Sequence, residues 1–156
     1  MKIETITEPN EKIFAIQQKY FNTLKALFPH LTVELIGGMS VPMIGRPELD
    51  IMIISSDLEN DSKQVEGVGL KQGSIEPGKA SYLKKLEDGI DVTVQLLSPS
   101  NSMIKRHRDI RTILKGNHEI RKRYKKFKKT LTGLEKQEYR AKKKEWLSEY
   151  MDPLLK

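Results

Sequence analysis

Apolar residues near the N-terminus recur every three or four positions. Ile13, Ile16, Tyr20, Leu24 and Leu27 form one stripe, which predicts an amphipathic helix over residues 9–28. Pro9 suits its first turn, and Pro29-His30 ends it. Val33 to Ile36 then reads as a short strand closed by Gly37-Gly38. A loop, Met39 to Pro47, leads into a buried strand over Leu49 to Ile54, and Ser55 to Glu59 turn away from it. The pattern weakens over residues 60–89, where Val65 to Ser74 and Ser81 to Leu86 read as strands, with turns at Gly73, Pro77 and Gly78. Asp88-Gly89 is a hairpin signal. Ile90 to Leu97 alternates cleanly: Ile90, Val92, Val94 and Leu96 share one face, and Asp91, Thr93 and Gln95 the other. From Ser98 the period becomes helical, with helices over Ser100 to Leu114, Asn117 to Leu131 and Leu134 to Tyr150. Tyr139, Lys143, Leu147 and Tyr150 fall on one face of the last. The order predicts an α+β fold: a mixed β-sheet core with flanking helices, then a helical C-terminal part.

The length of 156 residues suits one domain with a core of its own, divided here into residues 1–98 and a helical part over 99–156. With no cysteine, disulfides and thiolate zinc sites are excluded. The segment MKIETITEPNEK lacks the apolar stretch of a secretory signal, and no run approaches the roughly 20 apolar residues that span a bilayer, so a cytoplasmic protein is expected. Charge changes the picture more. Residues 1–98 carry 10 Lys and Arg against 14 Asp and Glu, a net of −4, whereas residues 99–156 carry 18 against 7, a net of +11. An acidic part joined to a basic part points to a partner with phosphate groups.

The candidate chemistry centres on Glu48-Leu49-Asp50. Residues two apart on a strand share a face, so both carboxylates stand side by side. At about 6 Å and an effective dielectric near 20 they repel by roughly 3 kcal/mol, which a bound cation relieves. Asp91, on the polar face of a later strand, joins them if the two strands are neighbours. Clustered carboxylates suit Mg²⁺ or Mn²⁺ together with water and substrate phosphates. Gly37 and Gly38 let the backbone approach a ligand and offer N–H groups to phosphate oxygens, while Ser40 and Arg46 add a hydroxyl and a permanent positive charge. His30 follows a helix end, and His107 and His118 fall in basic helices, so none is favoured for catalysis.

The stretch Ile36-Gly37-Gly38-Met39-Ser40-Val41-Pro42-Met43-Ile44-Gly45-Arg46-Pro47-Glu48-Leu49-Asp50-Ile51 resembles a pattern of the GrpB family (UPF0157), I-G-S-T-(A/S)-V-P-G-L-x-x-K-P-x-I-D-I. Arg46 stands where that pattern has lysine; Gly38 and Met39 replace serine and threonine. His107-Arg108-Asp109 is similar to the family's F-R-D, and Tyr124 with Lys128 to a Y-x-x-x-K segment. Tyr139, Lys143 and Leu147 are similar to a second such segment. The resemblance implies a nucleotidyltransferase-like fold. The broader superfamily pattern has two acids spaced by one residue, which Glu48 and Asp50 supply here, with Asp91 as the later acid.

The expectation is therefore a metal-dependent nucleotidyltransferase. Glu48, Asp50 and Asp91 would hold Mg²⁺ or Mn²⁺, and Gly37, Gly38, Ser40 and Arg46 the polyphosphate of a nucleoside triphosphate. Arg108, Lys128 and Lys143 would reach the cleft from the C-terminal helices, and the acceptor is unnamed. One alternative is a nucleotide- or anion-binding module without turnover. Another is nucleic-acid binding through Arg121 to Lys129, where Tyr124 and Phe127 interleave with basic residues; against it, Ile120, Tyr124, Phe127 and Leu131 have the spacing of a core stripe.

Overall fold

The computed structural model describes residues 11–37, 48–86 and 89–155. Helix α1 (Glu11–Leu27) leads into β1 (Thr32–Ile36) and then β2 (Glu48–Ile54). Helix α2 (Leu58–Gly67) precedes a meander of β3 (Lys71–Glu76), β4 (Lys79–Lys85) and β5 (Asp91–Leu97). Helices α3 (Met103–Gly116), α4 (His118–Lys129) and α5 (Lys136–Trp146) follow, and a π-helical turn (Leu147–Met151) and a 3-10 turn (Asp152–Leu154) end the chain. The five strands form one mixed sheet in the order β1-β2-β5-β4-β3, with β2 and β5 parallel and the other pairs antiparallel. The α+β architecture with a helical C-terminal part is as the periodicity predicts.

Strand alternation divides the sheet into two unlike faces. On one, Leu49, Ile51 and Ile53 of β2 and Val92, Val94 and Leu96 of β5 pack with Tyr82 and Ala80 of β4. Ile13 and Leu24 of α1 and Val65 of α2 cover them, so the predicted N-terminal stripe is a core stripe. The other face is mixed. Ile36, Met52 and Leu97 form a small apolar patch that Ile104 of α3 covers, and beyond it the same rows carry Glu48, Asp50, Asp91, Thr93 and Gln95. The functional candidates thus sit on the face that the helical part approaches.

That helical part has a core of its own. Leu114, Tyr124, Trp146 and Met151 are buried together, with Ile110, Ile113, Ile120, Phe127 and Leu147 around them. Tyr124 and Phe127 stack on the Trp146 ring at centroid distances of 4.7 and 5.5 Å. Helix α3 fastens this unit to the sheet: the Arg111 guanidinium donates to the Leu35 carbonyl oxygen at 2.7 Å and to Glu34 at 3.0 Å, and Arg108 also donates to Glu34.

Two local expectations change. The turn over Ser55 to Glu59 and the strand starting at Val65 give way to α2 and a shorter β3. Asp57 caps α2, its side chain accepting from the Asn60 N–H at 3.2 Å, and the helix buries Asp61 and Ser62 beside Val65. Ser55 donates to Asp61, so a polar contact fills positions where periodicity looks for apolar residues. The α-helical part of the last predicted helix ends at Trp146, and the turns that follow carry Tyr150 onto the Trp146 ring.

Trp146 joins three rings, so its truncation should loosen the helical part more than the sheet. Trp146→Ala is expected to cost about 3–5 kcal/mol in urea unfolding, the usual range for a buried tryptophan. Amide exchange should accelerate first in α4 and α5.

Candidate active site

The cleft lies between the mixed face of the sheet and helices α3, α4 and α5, and encloses about 350 Å³. One wall is acidic. Glu48 and Asp50 project from β2 into it, as their spacing requires. In the register of the parallel pair, Glu48 faces Asp91 and Asp50 faces Thr93. The Thr93 hydroxyl donates to Glu48 at 3.2 Å. Gly37 closes β1 beside Asp50 with φ +77°, a conformation that suits glycine. A Cβ at this position would lie 2.5 Å from Asp50 Oδ2, so any side chain there would displace the Asp50 carboxylate as well as strain the backbone.

The opposite wall is cationic and phenolic. Tyr124 of α4 and Tyr139, Arg140 and Lys143 of α5 line it. The Lys143 ammonium faces the Tyr124 hydroxyl, and its protonated form is favoured above the ordinary lysine value. Tyr124 contributes most to that, and Tyr139, Asp50 and Glu48 act in the same sense against burial. Burial raises the Tyr124 value, so at neutral pH the phenol is uncharged and the carboxylates supply the formal counter-charge. Behind Tyr124 lies Lys128, only 2% exposed, its ammonium 4.3 Å from the Tyr124 ring centroid. Burial and the neighbouring Lys143 charge pull its pKa down to about 7, and Asp50 opposes them. Among the described residues, the Lys128 ammonium makes no side-chain hydrogen bond or ion pair.

At a third side, Gln95 of β5 and His107 of α3 meet, with 3.2 Å between His107 Nε2 and Gln95 Oε1. Met103, Ile110 and Leu114 of α3, Ile36 of β1 and Leu147 line the cleft around them. Arg106 also lines it, its guanidinium 2.8 Å from Asp152.

The sequence candidates divide accordingly. Gly37, Glu48, Asp50 and Lys143 line the cleft together. Asp91 stands beside Glu48 in register, buried at 7% exposure, but is not among the lining residues. Among the described residues no three acids or histidines gather closely enough to hold a metal ion. Arg108 pairs with Glu34 away from the cleft, and Glu34 is held below its ordinary value chiefly by that contact. Gly38, Ser40 and Arg46 lie outside the described residues. The Tyr124 and Phe127 rings, which a nucleic-acid interface would need free, pack on Trp146, while Lys122, Arg123, Lys126 and Lys129 are exposed. Sequence reasoning set His107 aside and did not single out Gln95 or Arg140. The signal for His107 was present: Met103, His107, Ile110 and Leu114 recur at helical spacing, and a polar residue within such a stripe faces what the stripe faces.

Burial, followed by the positive charges of Lys79 and Arg106, pulls the His107 pKa down to about 4. In the unfolded chain the imidazole protonates near pH 6.5. Between about pH 6.5 and 4 the unfolded state therefore binds more protons, and stability falls as pH falls. His107→Gln is expected to remove about 1–3 kcal/mol of that loss. Urea unfolding of both proteins at pH 7 and pH 4.5 checks this.

A UPF0157 protein of Vibrio cholerae is 31% identical over 133 residues, 82% of this chain and 70% of that protein. The crystal structure of conserved protein GrpB from Enterococcus faecalis matches with a TM-score of 0.70 and 21% identity, covering 94% of this chain and 99% of that one. A cytoplasmic RNA terminal U-transferase matches more distantly, with a TM-score of 0.48 and 11% identity over 64% of this chain and 34% of that one. The family model described as GrpB protein matches residues 5–153, and the chain belongs to the GrpB family.

Proposed function

We propose that the cleft binds a nucleoside triphosphate and transfers its nucleotidyl group to a hydroxyl-bearing acceptor. The observation that carries the reading is Lys128, a buried lysine whose ammonium makes no ion pair among the described residues, behind Tyr124 and beside a second lysine, with Asp50 acting on it only at a distance. Burying a charge is costly, and a polyphosphate seated at Lys143, with Lys128 behind Tyr124, would offset that cost by its field. Lys143, whose charge faces the carboxylate wall, is placed to donate to phosphate oxygens, and Arg140 adds charge to the lining.

Glu48 and Asp50 fit a hard divalent cation as far as donor chemistry goes: two carboxylates on one strand face, with water and phosphate oxygens completing the coordination. Mg²⁺ or Mn²⁺ there would supply positive charge to the phosphates. In the transfer, the acceptor oxygen forms a bond to the α-phosphorus, the bond to pyrophosphate breaks, and the hydroxyl proton passes to the carboxylate side of the cleft. The chain's own part is to hold the triphosphate between two charged walls and keep the α-phosphorus near Asp50.

A second reading is an anion-binding module without turnover. It is favoured by the arrangement of Lys143, whose charge already faces Asp50 and Glu48, and by the lack of a three-acid cluster among the described residues.

Calorimetric titration of the four nucleoside triphosphates, with and without Mg²⁺ or Mn²⁺, separates the two. Transfer chemistry predicts metal-dependent binding that Asp50→Asn abolishes. Binding indifferent to metal and to Asp50→Asn selects the module, and absence of binding overturns both. Lys128→Met should weaken nucleotide binding at least tenfold. It should also raise the Tm of the free protein, because replacing a buried charge by an apolar side chain is commonly neutral or stabilising by about 1–4 kcal/mol. A lowered Tm with unchanged binding would mean that Lys128 serves the fold alone.

A further inference from the structure

The charged walls account for only part of the cleft. Its remaining surface is apolar: Ile36, Met103, Ile110, Leu114 and Leu147. Phosphate groups gain nothing from such a lining, so it suits another portion of the ligand. Set into it are Gln95 and His107, joined to each other at 3.2 Å.

The bookkeeping of that contact is informative. A neutral imidazole has one donor and one acceptor nitrogen, and an amide side chain has an acceptor oxygen and two N–H donors. With His107 Nε2–H donating to Gln95 Oε1, His107 Nδ1 remains an acceptor and the Gln95 amide nitrogen a donor. Neither has another side-chain partner among the described residues. A donor and an acceptor set in one apolar recess, on either side of their mutual contact, suit a planar heterocycle with polar atoms around its rim. The hydrogen-bonding edge of a nucleobase has that character.

Position agrees with this. Asp50 is in register with Thr93, and Gln95 lies two residues further along the same face of β5. Two residues of strand span about 7 Å, roughly the extent of a ribose. A nucleotide with its α-phosphate near Asp50 would bring its base to Gln95.

We propose that Gln95 and His107 form a base-recognition subsite: the nucleobase lies against Met103, Ile110 and Leu147, with Gln95 donating to its edge and His107 Nδ1 accepting from it. The proposal rests on the nucleotide reading of the cleft and adds to it the residues that distinguish a nucleotide from a bare polyphosphate. His107 is thereby a binding residue rather than a proton carrier.

The test compares inorganic tripolyphosphate with the four nucleoside triphosphates, all with Mg²⁺, by calorimetry on the wild type and on Gln95→Met. The wild type should bind at least one nucleotide tenfold or more tightly than tripolyphosphate. Gln95→Met should bring that nucleotide to the tripolyphosphate level while tripolyphosphate affinity holds. Equal affinities in the wild type, or equal weakening of both ligands by the variant, overturn the subsite and leave the phosphate site standing. If neither ligand binds, the nucleotide reading fails and the subsite with it. Should Gln95→Met not fold, saturation-transfer NMR on the wild type decides. Base protons receiving more saturation than ribose protons support the subsite, and the reverse order overturns it.

Discussion

The balance of charge across the cleft, Asp50 and Glu48 on β2 against Lys143 on α5, is the interaction on which the rest of the arrangement depends. Two carboxylates on one strand face repel each other, and a lysine enclosed by helices is poorly solvated. Each side makes the other tolerable. The pairing also joins parts of the chain that are far apart in sequence and have separate apolar cores. The helical part is also held to the sheet by the Ile104 patch, by the Glu34 and Leu35 contacts of α3 and by the contact of His107 with Gln95.

The fold is organised so that this balance can exist. Leu49, Ile51 and Ile53 put one face of β2 into the main core, which forces Glu48 and Asp50 onto the other. Gly37 ends β1 in a conformation that leaves room for the Asp50 carboxylate. On the far wall, the stack of Tyr124 on Trp146 fixes the phenol that faces Lys143 and underlies Lys128. Packing and site chemistry therefore share a residue. Tyr124 is a core ring on one side and part of the cleft wall beside two lysines on the other.

Much of this was legible in the sequence. The α1 stripe, β2 and the alternation of β5 are strong periodic signals, and each is an observed element with nearly the expected bounds. Glu48 and Asp50 were readable as a pair because period 2 fixes which side chains share a face. Lys143 was readable through its spacing from Tyr139 and Leu147. Helix α2 was hidden because its buried positions include Asp61 and Ser62, held by a capping residue and a serine contact rather than by an apolar stripe. Arg108 was misjudged in reach because the partner that holds it, Glu34, is 74 residues away, and no local pattern encodes such a contact. Gln95 and His107 come from different elements, and only the packing of α3 on the sheet brings them together.

The most direct measurement of the central claim is a double-mutant cycle in the ligand-free protein, combining Asp50→Asn with Lys143→Met and reading stability by urea unfolding. Charge balance across the cleft predicts that the two substitutions are coupled. The double variant should be less destabilised than the sum of the singles by about 1–3 kcal/mol. Additivity within about 0.5 kcal/mol, the behaviour of independent sites, would contradict it.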